Sequence, residues 1–493
     1  MKFLDNEQRE QIGLSFVMDE LEITTFYGIE EKKLIKPYKV NEVQSLQQEL
    51  EDIGILIKAM KDYPEEFAEI GRIFCKVKDI KASINRCKEK ETLDEVELYE
   101  IKYFSILSEE LMELTTRANL SISRVKFNSL EKPLRVLNPQ KERMSTFYIY
   151  EEYSENLRDI RELKRQKEKQ IFASNNEDEI AKLKQQRLDL VILEEEEELR
   201  IRKELTLRLS DYAISMEENI KSIGILDLLT AKAKLAIKYD CIKPSIIQHM
   251  DISLKGAFNP EIKNILTKKR KEFTPVTLDL KGGTTVITGA NMGGKTVALK
   301  TIVLNLILGQ MGFYVFAKEA SFPVLDFIHF VSDDMQSISK GLSTFGAEII
   351  KMKEVVECVK RGNGFVALDE FARGTNPKEG YYLVKSLATY LTKYQTVSII
   401  STHYDGVVED NMDHYQVTGL KNVDFESLKY KIDLNKTHSV EIIQEHMEYK
   451  LERVSKENKV PKDALNIAML LGLEKEIVNI AKTYYDEEDN HGK

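Results

Sequence analysis

Apolar positions recur at helical spacing through the first half of the chain. Leu46, Leu50, Ile53, Leu56 and Ile57 fall on one helix face, and residues 1 to about 245 keep this texture with few Pro or Gly. A charge-dense stretch, 147–210, is interrupted at Phe172-Ala-Ser-Asn-Asn-Glu177. Ser174, Asn175 and Asn176 are turn formers, and Ser174 or Asp178 is placed to cap a following helix. The pattern predicts two antiparallel helices, 147–170 and 178–210, the first arm reaching about 35 Å. From about 246 short β-branched runs appear, Thr284–Thr288, Gly364–Leu368 and Thr396–Ser401, with helical patterns between them. That alternation predicts an α/β unit built on a parallel sheet. The last fifty residues return to helix, with Ala464, Ile467, Ala468, Leu471 and Leu473 on an apolar stripe.

Composition narrows the class. The 493 residues suit two to four domains, and the textures divide them into 1–245, 246–440 and 441–493. With 42% hydrophobic residues and only 10 Pro and 23 Gly, the chain reads as helix-rich and folded rather than disordered. A net charge of −10 excludes a uniformly basic nucleic-acid binder but leaves room for a local basic patch. Cys75, Cys87, Cys241 and Cys358 lie far apart without a CxxC pair, so neither a zinc knuckle nor a disulfide framework is expected. The charged start lacks the apolar core of a signal peptide. No run of about 18 apolar residues predicts a membrane span. The expected compartment is the cytosol.

The chemistry concentrates in the α/β part. Gly289-Ala-Asn-Met-Gly-Gly-Lys-Thr296 fits GxxxxGK[ST], follows the run 284–288 and precedes a helical pattern beginning at Val297. In such a loop the glycines Gly289, Gly293 and Gly294 let backbone N–H groups converge on phosphate oxygens. The helix N-terminus adds positive potential. Lys295 is suited to the β- and γ-phosphates of ATP and Thr296 to Mg²⁺. Phe365-Val-Ala-Leu-Asp-Glu370 is an apolar strand ending in two acids. Asp369 is suited to hold Mg²⁺ through water and Glu370 to polarise an attacking water. Ser401-Thr-His403 ends the next strand and makes His403 a candidate γ-phosphate sensor.

These residues resemble the ATPase domain of the MutS proteins, a branch of the ABC ATPases. The resemblance rests on Thr288-Gly-Ala-Asn-Met-Gly-Gly-Lys-Thr296, Gly341-Leu-Ser-Thr-Phe345, Leu368-Asp-Glu-Phe-Ala-Arg-Gly-Thr375 and Ser401-Thr-His-Tyr404, in order over about 115 residues. It implies a homodimer with composite ATP sites, in which Ser343 contacts ATP bound to the partner and 371–376 crosses the interface with Arg373. Asn291 and Val297 join the nucleotide-binding loop by the same resemblance. Phe273 lies where the family places an aromatic on adenine, although Val276 replaces the family's asparagine. Thr25-Phe-Tyr-Gly28 looks like the start of the MutS lever and Ile225-Leu-Asp-Leu-Leu-Thr230 like the helix returning from its clamp. The hairpin 147–210 occupies the place of the DNA clamp. The tail 464–473 resembles helices that support the dimer. The implied architecture is an all-helical lever with an antiparallel hairpin, followed by a P-loop ABC-type ATPase with a mainly parallel sheet.

What the hairpin holds is left open. Lys164, Arg165, Lys167 and Lys169 on one arm, with Lys182, Lys184 and Arg187 on the other, are placed for DNA phosphates. A plain solvated spacer and a protein client are the competing readings. MutS-like proteins without mismatch domains are also similar to ATPases that reactivate cobalamin-dependent aminomutases. The expectation is a short paralogue without a mismatch reader or nuclease-like domain. Phe67-Ala-Glu69 matches the Phe-x-Glu of mismatch readers but falls inside a helical stretch.

Overall fold

A computed structural model describes residues 3–139, 148–289, 294–332, 344–420, 423, 428, 432, 442, 446–454 and 463–491. The chain forms two compact units that interleave in sequence. One comprises 1–21, 36–51 and 234–493; the other comprises 22–35 and 52–233. The texture boundary near 245 therefore does not divide the chain in space, because two early helical segments group with the α/β unit.

The α/β unit carries two sheets. The larger has the order β10-β9-β4-β8-β7-β6, with β4 at Gly283–Thr288, β6 at Ile328–Val331, β7 at Phe365–Asp369, β8 at Val397–Ser401, β9 at Asp413–Gly419 and β10 at Glu448–Arg453. All its pairings are parallel except that of β10 with β9. The three β-branched runs become β4, β7 and β8, each buried along its whole length, as expected for strands covered on both faces. The smaller sheet has the order β1-β5-β2-β3, with β1 at Ser245–Ile247, β2 at Ile252–Ala257, β3 at Val276–Leu280 and β5 at Glu319–Pro323. Its two antiparallel pairings are an addition to the parallel sheet expected. Helix Lys295–Gln310 packs against strands of both sheets and is buried almost throughout. Its apolar residues therefore run around the whole helix rather than along one stripe.

Side-chain bonds explain why early residues join this unit. Gln310 donates to the carbonyls of Tyr38 at 2.9 Å and Leu325 at 2.6 Å. Asn259 donates to Ile12 O at 2.9 Å while capping helix Pro260–Lys268. These buried carbonyls would otherwise lack partners.

The second unit is helical. Thr25, which caps helix Phe26–Lys33, donates its hydroxyl to Asp227 at 2.7 Å, and its amide does so at 2.6 Å. Asp227 lies on helix Ala213–Tyr239, so two motifs some 200 residues apart form one contact. Gly28 is required there, since an added Cβ would lie 2.5 Å from Asp227 Oδ2. Phe67-Ala-Glu69 lies within helix Pro64–Phe74.

The hairpin is present as helices Glu155–Ala173 and Glu177–Ser210. Residue 147, the expected start, lies outside the described residues. The second helix is capped by Asn176, which accepts from Asp178 and Glu179, rather than by Ser174 or Asp178. Ser174 instead accepts the Asn176 amide at 3.2 Å. Arg161 binds Glu194 at 2.9 Å and Glu198 at 2.8 Å, and Arg187 binds Glu168 at 2.7 Å, fixing the antiparallel register. Three of the expected DNA-facing cations are thereby corrected, Arg187 being the first. Lys164 is paired with Glu194, and Arg165 with Glu151 and Glu162. Lys167, Lys169, Lys182 and Lys184 have no ion-pair partner among the described residues.

In the tail, helices Asp463–Leu470 and Lys475–His491 follow β10. Leu470 is buried, but Leu471, Leu473, Ile477, Ile480 and Tyr484 are exposed. Among the described residues no helix is long and apolar enough to cross a membrane.

Acid should loosen the helical pair first. Burial pushes the Glu194 carboxyl up, but hydrogen bonds from Lys164 and Arg161 outweigh it and the net shift is downward. Arg200 and Ser154 hold Glu197 down to about 2. A depressed folded pKa gives stability that is complete above about pH 4.5 and is lost as pH falls toward about 2. Arg161→Ala should cost about 2 kcal/mol of local stability at neutral pH, read as faster amide exchange across 155–210, and less at pH 2.

Candidate functional site

The register of three strands sets the site. In the parallel pairings Ile287 lies beside Ser401, and Ser401 beside Asp369. The C-terminal ends of β4, β8 and β7 therefore finish side by side. Open α/β sheets present functional groups at this edge.

From β4 the chain turns through Gly289, with φ +127°, where an added Cβ would lie 3.1 Å from Val417 Cβ. Asn291 and Gly293 lie outside the described residues. Gly294, with φ +80°, caps helix Lys295–Gln310. Both values are ones that glycine adopts without steric cost. Lys295 is 3% exposed and donates to Gly289 O at 2.7 Å. Thr296 and Val297 follow in the first helical turn, where backbone N–H groups lack intrahelical partners.

Both acids of β7 meet this loop. Asp369 Oδ1 accepts from Ser401 Oγ at 2.5 Å, and the Thr296 hydroxyl lies near enough to help hold the carboxyl pKa down. Glu370 lies 3.5 Å from Lys295 Nζ and 2.8 Å from Arg373 Nη1. Burial raises the Asp369 pKa despite its hydrogen bonds, and burial lowers that of Lys295 despite the two acids. Both shifts show that desolvation exceeds the stabilisation the two groups obtain from each other. His403 is exposed, with its ring centroid 4.3 Å from that of Tyr404. Partial desolvation beside the strand ends lowers its pKa, opposed by Glu370.

The backbone at Glu370 and Ala372 is left-handed, with φ 47° and 61°. The Glu370 amide donates to Ser401 O at 3.1 Å, and the Ala372 amide to Glu348 Oε2 at 3.0 Å. Glu348 lies on helix Thr344–Val359 and is 5% exposed.

The structure thus brings Lys295, Thr296, Asp369, Glu370 and His403 to one sheet edge. Ser343 lies outside the described residues. Phe273 is half-buried just before β3. Glu348, Ser401 as a ligand of Asp369, and Tyr449 went unnoticed in the sequence. The Tyr449 ring on β10 lies against the loop, 3.1 Å from where a Gly294 Cβ would stand. Only the sheet order brings it there, and no local pattern announces it. The Ser-Thr-His motif did contain Ser401, so strand pairing was the missing information.

Among the described residues no three His, Cys, Asp or Glu side chains cluster as metal ligands. Thr296 and Asp369 nevertheless supply adjacent oxygen donors beside a phosphate-type loop, and hard oxygen donors suit Mg²⁺.

Residues 285–484 match the family model of MutS domain V. Over this segment the chain is similar to MutS proteins. MutS proteins among its relatives include the endonuclease MutS2 of Carboxydothermus hydrogenoformans, 31% identical over 59% of this chain and 34% of that protein. The endonuclease MutS2 of Pediococcus pentosaceus is 28% identical over 81% of this chain and 43% of its own length. The DNA mismatch repair protein MutS of Shouchella clausii is 30% identical over 44% of this chain and 25% of its own. The chain thus spans about a third to two fifths of the MutS2 proteins it matches. None of these names points to a protein client.

Proposed function

We propose that this protein is a dimeric MutS-type ATPase that binds ATP with Mg²⁺ and couples its hydrolysis to a helical clamp on DNA. The observation that carries the reading is the meeting of Lys295, Thr296, the Asp369–Ser401 pair and Glu370 at the ends of adjacent parallel strands. The loop from Gly289 to Thr296 and the N-terminus of helix Lys295–Gln310 receive the phosphates, with Lys295 against the β- and γ-groups. Thr296 and Asp369 are the residues to hold Mg²⁺, which when bound supplies charge neutralisation between phosphate oxygens. Glu370 orients and polarises a water for in-line attack on the γ-phosphorus. The bond to the β-bridging oxygen then breaks, giving ADP and phosphate. His403 is suited to sense the γ-phosphate by hydrogen bonding. Phe273 and Tyr449 are the aromatics available to the base.

Ser343 and Arg373 would act across the dimer. The exposed side chains Leu471, Leu473, Ile477, Ile480 and Tyr484 support an association face in the tail. On the hairpin, Lys167, Lys169, Lys182 and Lys184 are cations near the tip placed to meet DNA phosphates.

Glu370→Ala should retain ATP binding and lower turnover by at least about 100-fold. Phosphate release near the wild-type rate would overturn the assignment. Replacing the four tip lysines with Ala should weaken DNA binding and flatten its salt dependence, by about 0.9 in slope for each phosphate that is no longer neutralised. An unchanged slope would remove the hairpin from DNA binding and leave the ATP site untouched.

A further inference from the structure

Glu348 belongs to none of the motifs that define the ATP site, yet it is built into the same corner of the fold. Its carboxylate is buried, 5% exposed, and accepts the Ala372 amide at 3.0 Å. Ala372 is fully buried, so no solvent can take over that amide. Two left-handed non-glycine residues within three positions are unfavourable in themselves and persist only where the surroundings hold them.

The restraints can be traced atom by atom. At one end the Glu370 amide donates to the main chain and the hydroxyl of Ser401, at 3.1 and 3.2 Å. At the other end the Ala372 amide donates to Glu348, and the Ala372 carbonyl receives the Tyr404 hydroxyl at 3.5 Å. Gly380 lets the following helix approach this point, since a Cβ there would lie 2.8 Å from Ala372 O. Glu348 is the charged acceptor in this set, and hydrogen bonds to a carboxylate are stronger than those between neutral groups. Glu370 leaves the strand at the start of this turn, so the turn sets where its carboxylate points.

We propose that Glu348 is a positioning residue for ATP hydrolysis, its buried carboxylate fixing the left-handed turn that presents Glu370 to the nucleotide. The inference rests on the reading of Glu370 as the water-polarising group. It also links helix Thr344–Val359 to the hydrolytic carboxylate, so that a shift of the helix would move Glu370.

The test compares Glu348→Ala, Glu348→Gln, Glu348→Ala with Ala372→Gly, and Glu370→Ala. Each is assayed for binding of a fluorescent ATP analogue and for steady-state phosphate release. Glu348→Ala should lose at least tenfold in kcat while KM for ATP and analogue binding stay within threefold. Glu348→Gln keeps an oxygen that accepts the same amide and should remain within threefold of wild type. Ala372→Gly removes the conformational penalty of the turn and should restore most of the lost rate. If Glu348→Ala misfolds, the double variant and Glu348→Gln still decide, and failure of both to hydrolyse ATP overturns the proposal. It is also overturned if Glu348→Ala turns over at the wild-type rate while Glu370→Ala does not, or if analogue binding falls together with turnover. Wild-type turnover in Glu370→Ala would instead refute the underlying reading of Glu370.

Discussion

Parallel pairing of β4, β8 and β7 ends three strands on one line, and every group of the candidate ATP site hangs from that line. Ile287, Ser401 and Asp369 are register partners. The phosphate-type loop leaves the first strand, the Ser-Thr-His segment the second, and the adjacent acids the third. A register slip of one residue would turn Asp369 to the other face of the sheet and separate it from Thr296. The buried helix Lys295–Gln310, packed against both sheets, holds the loop end of this arrangement in place.

Electrostatics and backbone strain meet at the same point. Buried Lys295 lies within ion-pair reach of Glu370, and buried Asp369 beside it accepts from Ser401. Burial still drives Asp369 and Lys295 toward their neutral forms. A polyphosphate beside Lys295 and a divalent cation beside Asp369 would each favour the charged form, so ligand binding and the charge state of the site are coupled. The left-handed turn at Glu370–Ala372 is the second local cost, and Ser401, Glu348 and Tyr404 hold it. Strain of this kind concentrates where a side chain must be aimed.

Local motifs made much of the site legible. The loop ending Gly-Gly-Lys-Thr296, the strand ending Asp369-Glu370 and the run ending His403 each combine residue chemistry with an element boundary, and the structure places them together. What stayed hidden depends on distant pairing. Ser401 acts on Asp369 through strand register, Tyr449 reaches Gly294 through sheet order, and Glu348 reaches Ala372 by packing of a helix whose sequence suggests only amphipathicity. The helical arms were legible from periodicity and turn residues, but the cap moved to Asn176 because its side chain reaches both following amides. Charge counting alone overstated the basic patch, since the acids that neutralise Lys164 and Arg165 lie on the returning arm and just ahead of the first. The joining of residues 1–21 and 36–51 to the α/β unit was invisible for the same reason. It rests on buried bonds such as those of Gln310 and Asn259 and on packing of Leu46 and Leu50 against Val324.

The central claim is that these strand ends form a working, cation-assisted ATP site. Phosphate release by the purified wild-type chain, followed over a range of ATP concentrations with Mg²⁺ and then with excess chelator, tests it most directly. The expected result is saturable turnover that requires the cation and stops on chelation. Saturable ATP binding with no turnover at any Mg²⁺ concentration, or turnover indifferent to chelation, would contradict it.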